Sequence, residues 1–199
     1  MKRPAIFILI FLSEVILFSC KPLIMKINGV SKPKFVTEDQ VVKFLKKESV
    51  IVDRNLFVCK DSSSIISMIM KIQALPSANF FNKNGDLLYY AETSCTGKAK
   101  ECAESLTKSS LNRVDPSYNL SDVIKLTKPE PSNFPFRQAD YDYTVVLYWA
   151  TYLGTLNKHA FEIADVLNQN HALKIKIIYV NVDFQKSWGM KSIPEINLN

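Results

Sequence analysis

The sequence of 199 residues predicts an α/β fold in which helices flank a sheet, and three patterns carry that prediction. Residues 144–150 and 174–183 are dense in Val, Ile and Tyr, and between them Ala160, Ile163, Ala164 and Leu167 recur at helical spacing. That is a βαβ unit, and its near-continuous apolar strands suit a sheet covered by helices on both faces. Earlier, Ile65, Met68, Ile69 and Ile72 fall at i, i+3, i+4 and i+7, the stripe of a core-facing helix. Third, Asn84-Gly85 sits between two apolar segments, the strongest short signal for a β-hairpin.

Composition sets the outer bounds. The chain is 47% hydrophobic and 22% charged, with enough length for one good core or at most two small ones. The formal charge is +6, yet the lysines are spread along the sequence, and no basic run interleaved with aromatics marks a nucleic-acid partner. His159 and His171 lie far from any cysteine, so no metal-ligand spacing exists and no cofactor is expected.

The first residues read as a targeting segment. Lys2 and Arg3 give a positive start, residues 6–12 are apolar, and Leu17-Phe18-Ser19-Cys20 resembles a lipobox. Residues 1–19 are then a lipoprotein signal peptide and Cys20 the lipidation site, carrying acyl chains such as palmitate. Glu14 interrupts the apolar stretch and departs from the pattern, since a charge is costly in hydrocarbon. An uncleaved N-terminal anchor is the alternative. Either places the body of the chain outside the cytoplasm, and Lys21-Pro22 carries no acidic sorting signal, so a membrane-anchored, periplasm-facing protein of a bacterial envelope is expected.

In chain order, residues 20–36 read as a tether. Residues 37–110 form an N-terminal half of helix, strand, helix, hairpin and helix. Thr37 and Gln40 make a capping box for a helix running to about Lys47. Residues 55–59 read as a strand, and Ser62-Ser63-Ser64 as the start of the next helix rather than a nucleophile. The hairpin spans 78–82 and 86–91 around a type I′ turn, and a helix covers about 97–109. Residues 111–143 carry Pro116, Pro129, Pro131 and Pro135, with a helical pattern only near 122–126, and read as a surface connector. Residues 144–199 hold the βαβ half, packed with 37–110 as one domain.

The segment Val145-Val146-Leu147-Tyr148-Trp149-Ala150-Thr151-Tyr152-Leu153-Gly154-Thr155-Leu156 resembles the strand-to-helix corner of thioredoxins, the membrane-anchored TlpA type in particular. There a Trp-Ala-Thr-Trp stretch precedes Cys-x-x-Cys. Trp188-Gly189-Met190-Lys191-Ser192-Ile193-Pro194 resembles the family's approach to its cis-proline, which makes Pro194 that proline. The resemblance covers roughly residues 144–196 and implies a thioredoxin-like sheet. The chain stops short of the family's last strand and helix, while its first half follows the order of the missing elements, with Leu75-Pro76 as a second cis-proline-like step. A composite or permuted domain follows from this, with two incomplete thioredoxin-like halves or a truncated family member as the other readings.

Aligned in this way, Leu153 and Leu156 stand where the family has its two thiols, a degenerate redox motif. Thiolate chemistry needs a sulfur whose pKa is lowered from about 8.5 by a helix N-terminus, and leucine supplies none. No mixed disulfide is available at this corner. Trp149, Tyr152 and Pro194 are then candidate binding residues for an extended polypeptide, or simply local packing. Three cysteines remain in the body. Cys95 precedes a helix and has Lys98 and Lys100 nearby, so it is the candidate nucleophile of a rival reading, with Cys102 or Cys59 resolving. Cys102 would stand at least ~7.5 Å along a helix begun at residue 97, beyond easy disulfide reach, and Cys59 on a strand is equally well a buried inert thiol.

The sequence therefore points to a lipid-anchored, redox-inactive protein that binds a polypeptide or a membrane partner. A thiol-disulfide oxidoreductase using Cys95 is the alternative.

Overall fold

The structure is a computed structural model that describes residues 25–51, 55–72, 74–88, 96–106, 114–130 and 138–194. It is a mixed α/β fold. Strands β1 (Phe35–Val36), β2 (Leu56–Cys59), β3 (Ser77–Asn82), β4 (Asp86–Leu88), β5 (Val114–Asn119), β6 (Thr127–Glu130), β7 (Tyr143–Trp149), β8 (Ile175–Asn181) and β9 (Phe184–Gln185) alternate with α-helices, and residues 25–27 are helical as well. The helices between the strands are α1 (Glu38–Lys47), α2 (Ser62–Lys71), α3 (Thr96–Glu104), α4 (Leu120–Leu126) and α5 (Lys158–Asn168).

Seven strands form one sheet in the order β5-β4-β3-β7-β8-β2-β6, and β1 pairs with β9 in parallel apart from it. Strands β7, β8 and β2 are parallel at its centre. The hairpin of the first half is joined directly to the late βαβ unit, because β3 runs antiparallel to β7 with Ser77 opposite Tyr148 and Asn82 opposite Tyr143.

Alternation on the central strands builds two cores. Tyr143, Val145, Leu147 and Trp149 face one side with Ile177 and Tyr179, under α1, α3 and α5. Val146, Tyr148, Ile178 and Val180 face the other, under α2 and α4. Every residue of β7 is buried, as a parallel strand with both faces covered requires.

Local chemistry explains the element starts. Thr37 and Gln40 form the capping box of α1. Helix α2 is capped one residue earlier than the serine run suggests: the Asp61 carboxylate accepts from the Ser64 N–H at 2.8 Å and the Ser63 hydroxyl at 2.7 Å. Those donors, the Ser64 N–H foremost, hold the Asp61 carboxyl below its ordinary pKa. Asn119 and Asp122 make a second capping box at α4.

Three expectations need correction. The hairpin loop is not type I′, which requires positive φ at both central residues. Only Gly85 has it (φ 87°), and the Gly85 N–H donates to Asn82 O at 2.9 Å, so the loop spans Lys83–Gly85. The Asn82 side chain selects it by accepting from the Asn84 and Asp86 N–H groups at 2.9 and 3.0 Å. Next, the proline-containing connector supplies both edges of the sheet, β5 on β4 and β6 on β2. Pro116 and Pro129 are tolerated because an edge strand leaves one side without ladder partners. Finally, helix α3 ends at Glu104 rather than near residue 109.

Candidate functional site

The C-terminal ends of β7 and β8 form the candidate site. Two 3₁₀ turns over Thr151–Asn157 leave β7 and break at Gly154 (φ 56°, ψ −133°), so α5 begins only at Lys158. Leu153 and Leu156 thus lie in the turn ahead of the helix. Buried Asn157 staples this turn: its amide donates to Ala150 O at 2.8 Å and Gly154 O at 3.1 Å, and its Oδ1 accepts from the Ala150 N–H at 3.3 Å.

A buried polar cluster ties the turn to the end of β8. The Asp183 carboxylate accepts from the Thr151 N–H at 2.8 Å, the Thr151 hydroxyl at 2.9 Å and the Asn181 amide at 2.7 Å. Burial raises the Asp183 pKa above the ordinary carboxylate value, and these donors counter only part of that shift. Gln185 is buried alongside, its Oε1 without a partner among the described residues.

Of the candidate binding residues, Trp149 cannot meet a partner. It is 0% exposed, stacked on Phe44 at 5.6 Å and edge-on to Phe161 at 5.8 Å. Tyr152 is half-buried, and burial pushes its hydroxyl up to about 12. Leu153 is 6% exposed, and Leu156 is packed at the edge of the core. Pro194 is half-buried, and its peptide bond with Ile193 is not cis. The cis bond is Leu75–Pro76, just ahead of β3, whose Ser77 pairs with Tyr148. Pro76, not Pro194, is therefore the proline set beside the Trp149–Ala150 corner.

What closes the corner is the stretch read as a tether. From residue 25 onward it is a docked strap: the Thr155 N–H and hydroxyl donate to Asn28 O at 2.8 and 3.2 Å, and the Ser31 N–H donates to Tyr152 O at 2.8 Å. A Cβ on Gly154 would overlap the Asn28 carbonyl oxygen and stand 2.7 Å from Gly29 O, so the strap and the glycine require each other. Beyond the strap, β1 continues along β9, with Phe35 edge-on to Phe184 at 6.4 Å.

The thiols are separated. Cys59 is buried under α2 on one face of the sheet, and burial with the nearby Asp61 charge pushes it up to about 12. Cys102 packs against the core on the other face, and burial pushes it up to about 12 as well. Both are free thiols, and the sheet between them prevents their pairing. Cys20 and Cys95 lie outside the described residues. His159 and His171 are exposed. Among the described residues no His, Cys, Asp and Glu group is placed to hold a metal, and no helix is long and apolar enough to cross a membrane.

Sequence reasoning located the corner but missed Asn28, Asn157 and Asp183. Asp183 carried the one readable signal, a carboxylate inside the apolar run that ends β8. Comparison with protein-family models, curated proteins and solved structures finds no match.

Proposed function

We propose that this chain is a lipid-anchored, thioredoxin-like module that has given up dithiol chemistry and works by binding at the end of the molecule where β7 and β8 finish. One observation carries the reading. The strand-to-turn corner holds Leu153 and Leu156 in place of nucleophiles, and the chain's own N-terminal strap is hydrogen-bonded across it. A site built for thiol exchange needs a sulfur open to solvent and stabilised as thiolate. This corner offers apolar side chains and a covering strand of chain.

The sheet order around it supports the thioredoxin-like part: parallel β2, β8 and β7, then the antiparallel hairpin β3-β4. The raised pKa values of Cys59 and Cys102 weigh against the oxidoreductase alternative, because neither is a ready thiolate at neutral pH. Lipid attachment at Cys20 rests on the lipobox-like Leu17-Phe18-Ser19-Cys20.

Differential alkylation with mass spectrometry, across a series of thiol-disulfide buffers, tests the reading. Cys59, Cys95 and Cys102 are expected to show no pair that interconverts near a biological potential, and the mature N-terminus to carry acyl mass on Cys20. A cycling pair containing Cys95 would overturn the binding reading.

A further inference from the structure

Six of the lysines that look scattered in the sequence belong to the two segments that meet at the corner, and Lys43 and Lys47 line the groove beside Thr151. The strap carries Lys26, Lys32 and Lys34, and α1 carries Lys43, Lys46 and Lys47 at i, i+3 and i+4; all six are exposed. Over residues 25–51 they face three carboxylates, Glu38, Asp39 and Glu48. Glu38 is already paired with Lys128 at 3.1 Å, and Asp39 lies in the first turn of α1, where the helix dipole compensates it.

Strap and helix meet at the corner. A groove of about 450 Å³ is lined by Val36, Gln40, Lys43, Phe44, Lys47 and Thr151, and Thr151 adjoins Tyr152, to which the strap is bonded. Ahead of the latch stand two exposed apolar side chains, Met25 at 43% and Ile27 at 73%. Exposed apolar residues beside lysines are what an interface of acyl chains and anionic headgroups accommodates.

Covalent geometry limits how far this end can lie from the anchor. Asn28 is held to Thr155, and seven residues, or eight Cα-to-Cα steps, separate it from Cys20, a reach of at most about 29 Å at roughly 3.6 Å per step. A strap latched to the corner cannot act as a long free leash. Lipid on Cys20 therefore keeps the corner end within that distance of the bilayer, and the charge and apolar side chains of this end decide which face turns to it.

We propose that the end formed by the strap, α1 and the Thr151–Thr155 turn is a docking surface for an anionic membrane, which the domain meets with Met25, Ile27 and the six lysines. This rests on the lipid-anchor reading above. It commits the corner to lipid: when the domain is seated, the bilayer covers the place where a polypeptide would otherwise lie.

Lysine acetylation of the full-length acylated protein, reconstituted into neutral phosphatidylcholine vesicles or vesicles with about a third phosphatidylglycerol, tests it by mass spectrometry. Each lysine at an anionic surface is worth roughly 5-fold in local partitioning. Lys26, Lys32, Lys43 and Lys47 are therefore expected to react roughly 5-fold more slowly on the anionic vesicles, with the difference lost in high salt. Lys83 and Lys174, exposed at the opposite end of the sheet, should react equally on both. The double variant Lys43→Gln/Lys47→Gln should weaken the protection of Lys26 and Lys32 without unfolding the protein. Equal reactivity on the two vesicle types, or protection at Lys83 and Lys174, would overturn the proposal, and the former would leave the corner to a polypeptide. The intact mass of Cys20 reports separately: absence of lipid defeats the anchor reading, and added anionic vesicles still score the lysine surface on its own.

Discussion

The two ends of the central strands are built differently. Where β7 and β8 finish, buried Asp183 accepts from Thr151 and Asn181, buried Asn157 staples the Ala150 backbone, Trp149 is sealed between two rings, and the strap lies across the turn. Where they begin, Asp142 and Lys174 exchange simple backbone and carboxylate bonds at 2.8 and 2.9 Å beside exposed His171. The first end buries polar groups and satisfies most of them, with Trp149 Nε1 and Gln185 Oε1 left without partners among the described residues, whereas the second is an ordinary loop junction. Among the described residues, order is thus concentrated at the C-terminal end of the three parallel central strands.

Substitutions should separate the two ends by size of effect. Trp149→Ala removes a fully buried ring between Phe44 and Phe161 and is expected to cost roughly 4 kcal/mol in urea denaturation. Asn157→Ala leaves the Ala150 N–H and O without their side-chain partners and should cost roughly 2 kcal/mol by the same measurement. At the other end, Asp142→Ala removes an exposed acceptor for the Lys174 N–H and should cost less than about 1 kcal/mol. A cost for Asp142→Ala equal to that for Asn157→Ala would erase the contrast.

Acid titration sharpens the same contrast. Because burial raises the Asp183 pKa, the folded protein holds that proton to higher pH than the unfolded chain does. The resulting stabilisation is complete below the ordinary carboxylate pKa and is lost as pH rises through the raised value. Asp183→Asn should flatten this part of the stability profile, followed by thermal melts across the acid range. An unchanged profile would show that Asp183 is not the group responsible.

How much of this was legible depended on whether the cause was local. The βαβ unit was readable because β7 and β8 are buried on both faces and α5 carries one apolar stripe, properties written in consecutive residues. The edge strands were not readable, since Pro116 and Pro129 look like breakers until a neighbouring strand shows which side needs ladder bonds. Asn84-Gly85 announced a hairpin, but Asn82 decided its loop. Trp149 was recognised at the corner, while its burial came from Phe44 on a helix far away in sequence. The strap gave only a faint signal: Asn28 takes the Thr155 N–H on its backbone carbonyl, which every residue possesses, its side-chain Oδ1 accepts from the Thr155 hydroxyl at 3.0 Å across a sequence gap that no local pattern spans, and its neighbour Gly154 reads as one more flexible glycine.

The latch is the central claim, and hydrogen exchange of the full-length protein beside its Gly154→Ala variant tests it most directly. The Ser31 and Thr155 amides should exchange slowly in the native protein. In the variant the new Cβ collides with the Asn28 carbonyl, so both amides should lose protection while those of β7 and β8 keep theirs. Fast exchange at Ser31 and Thr155 in the native protein, or protection unchanged by the variant, would mean that the strap does not close this end, and the account built on it would fail.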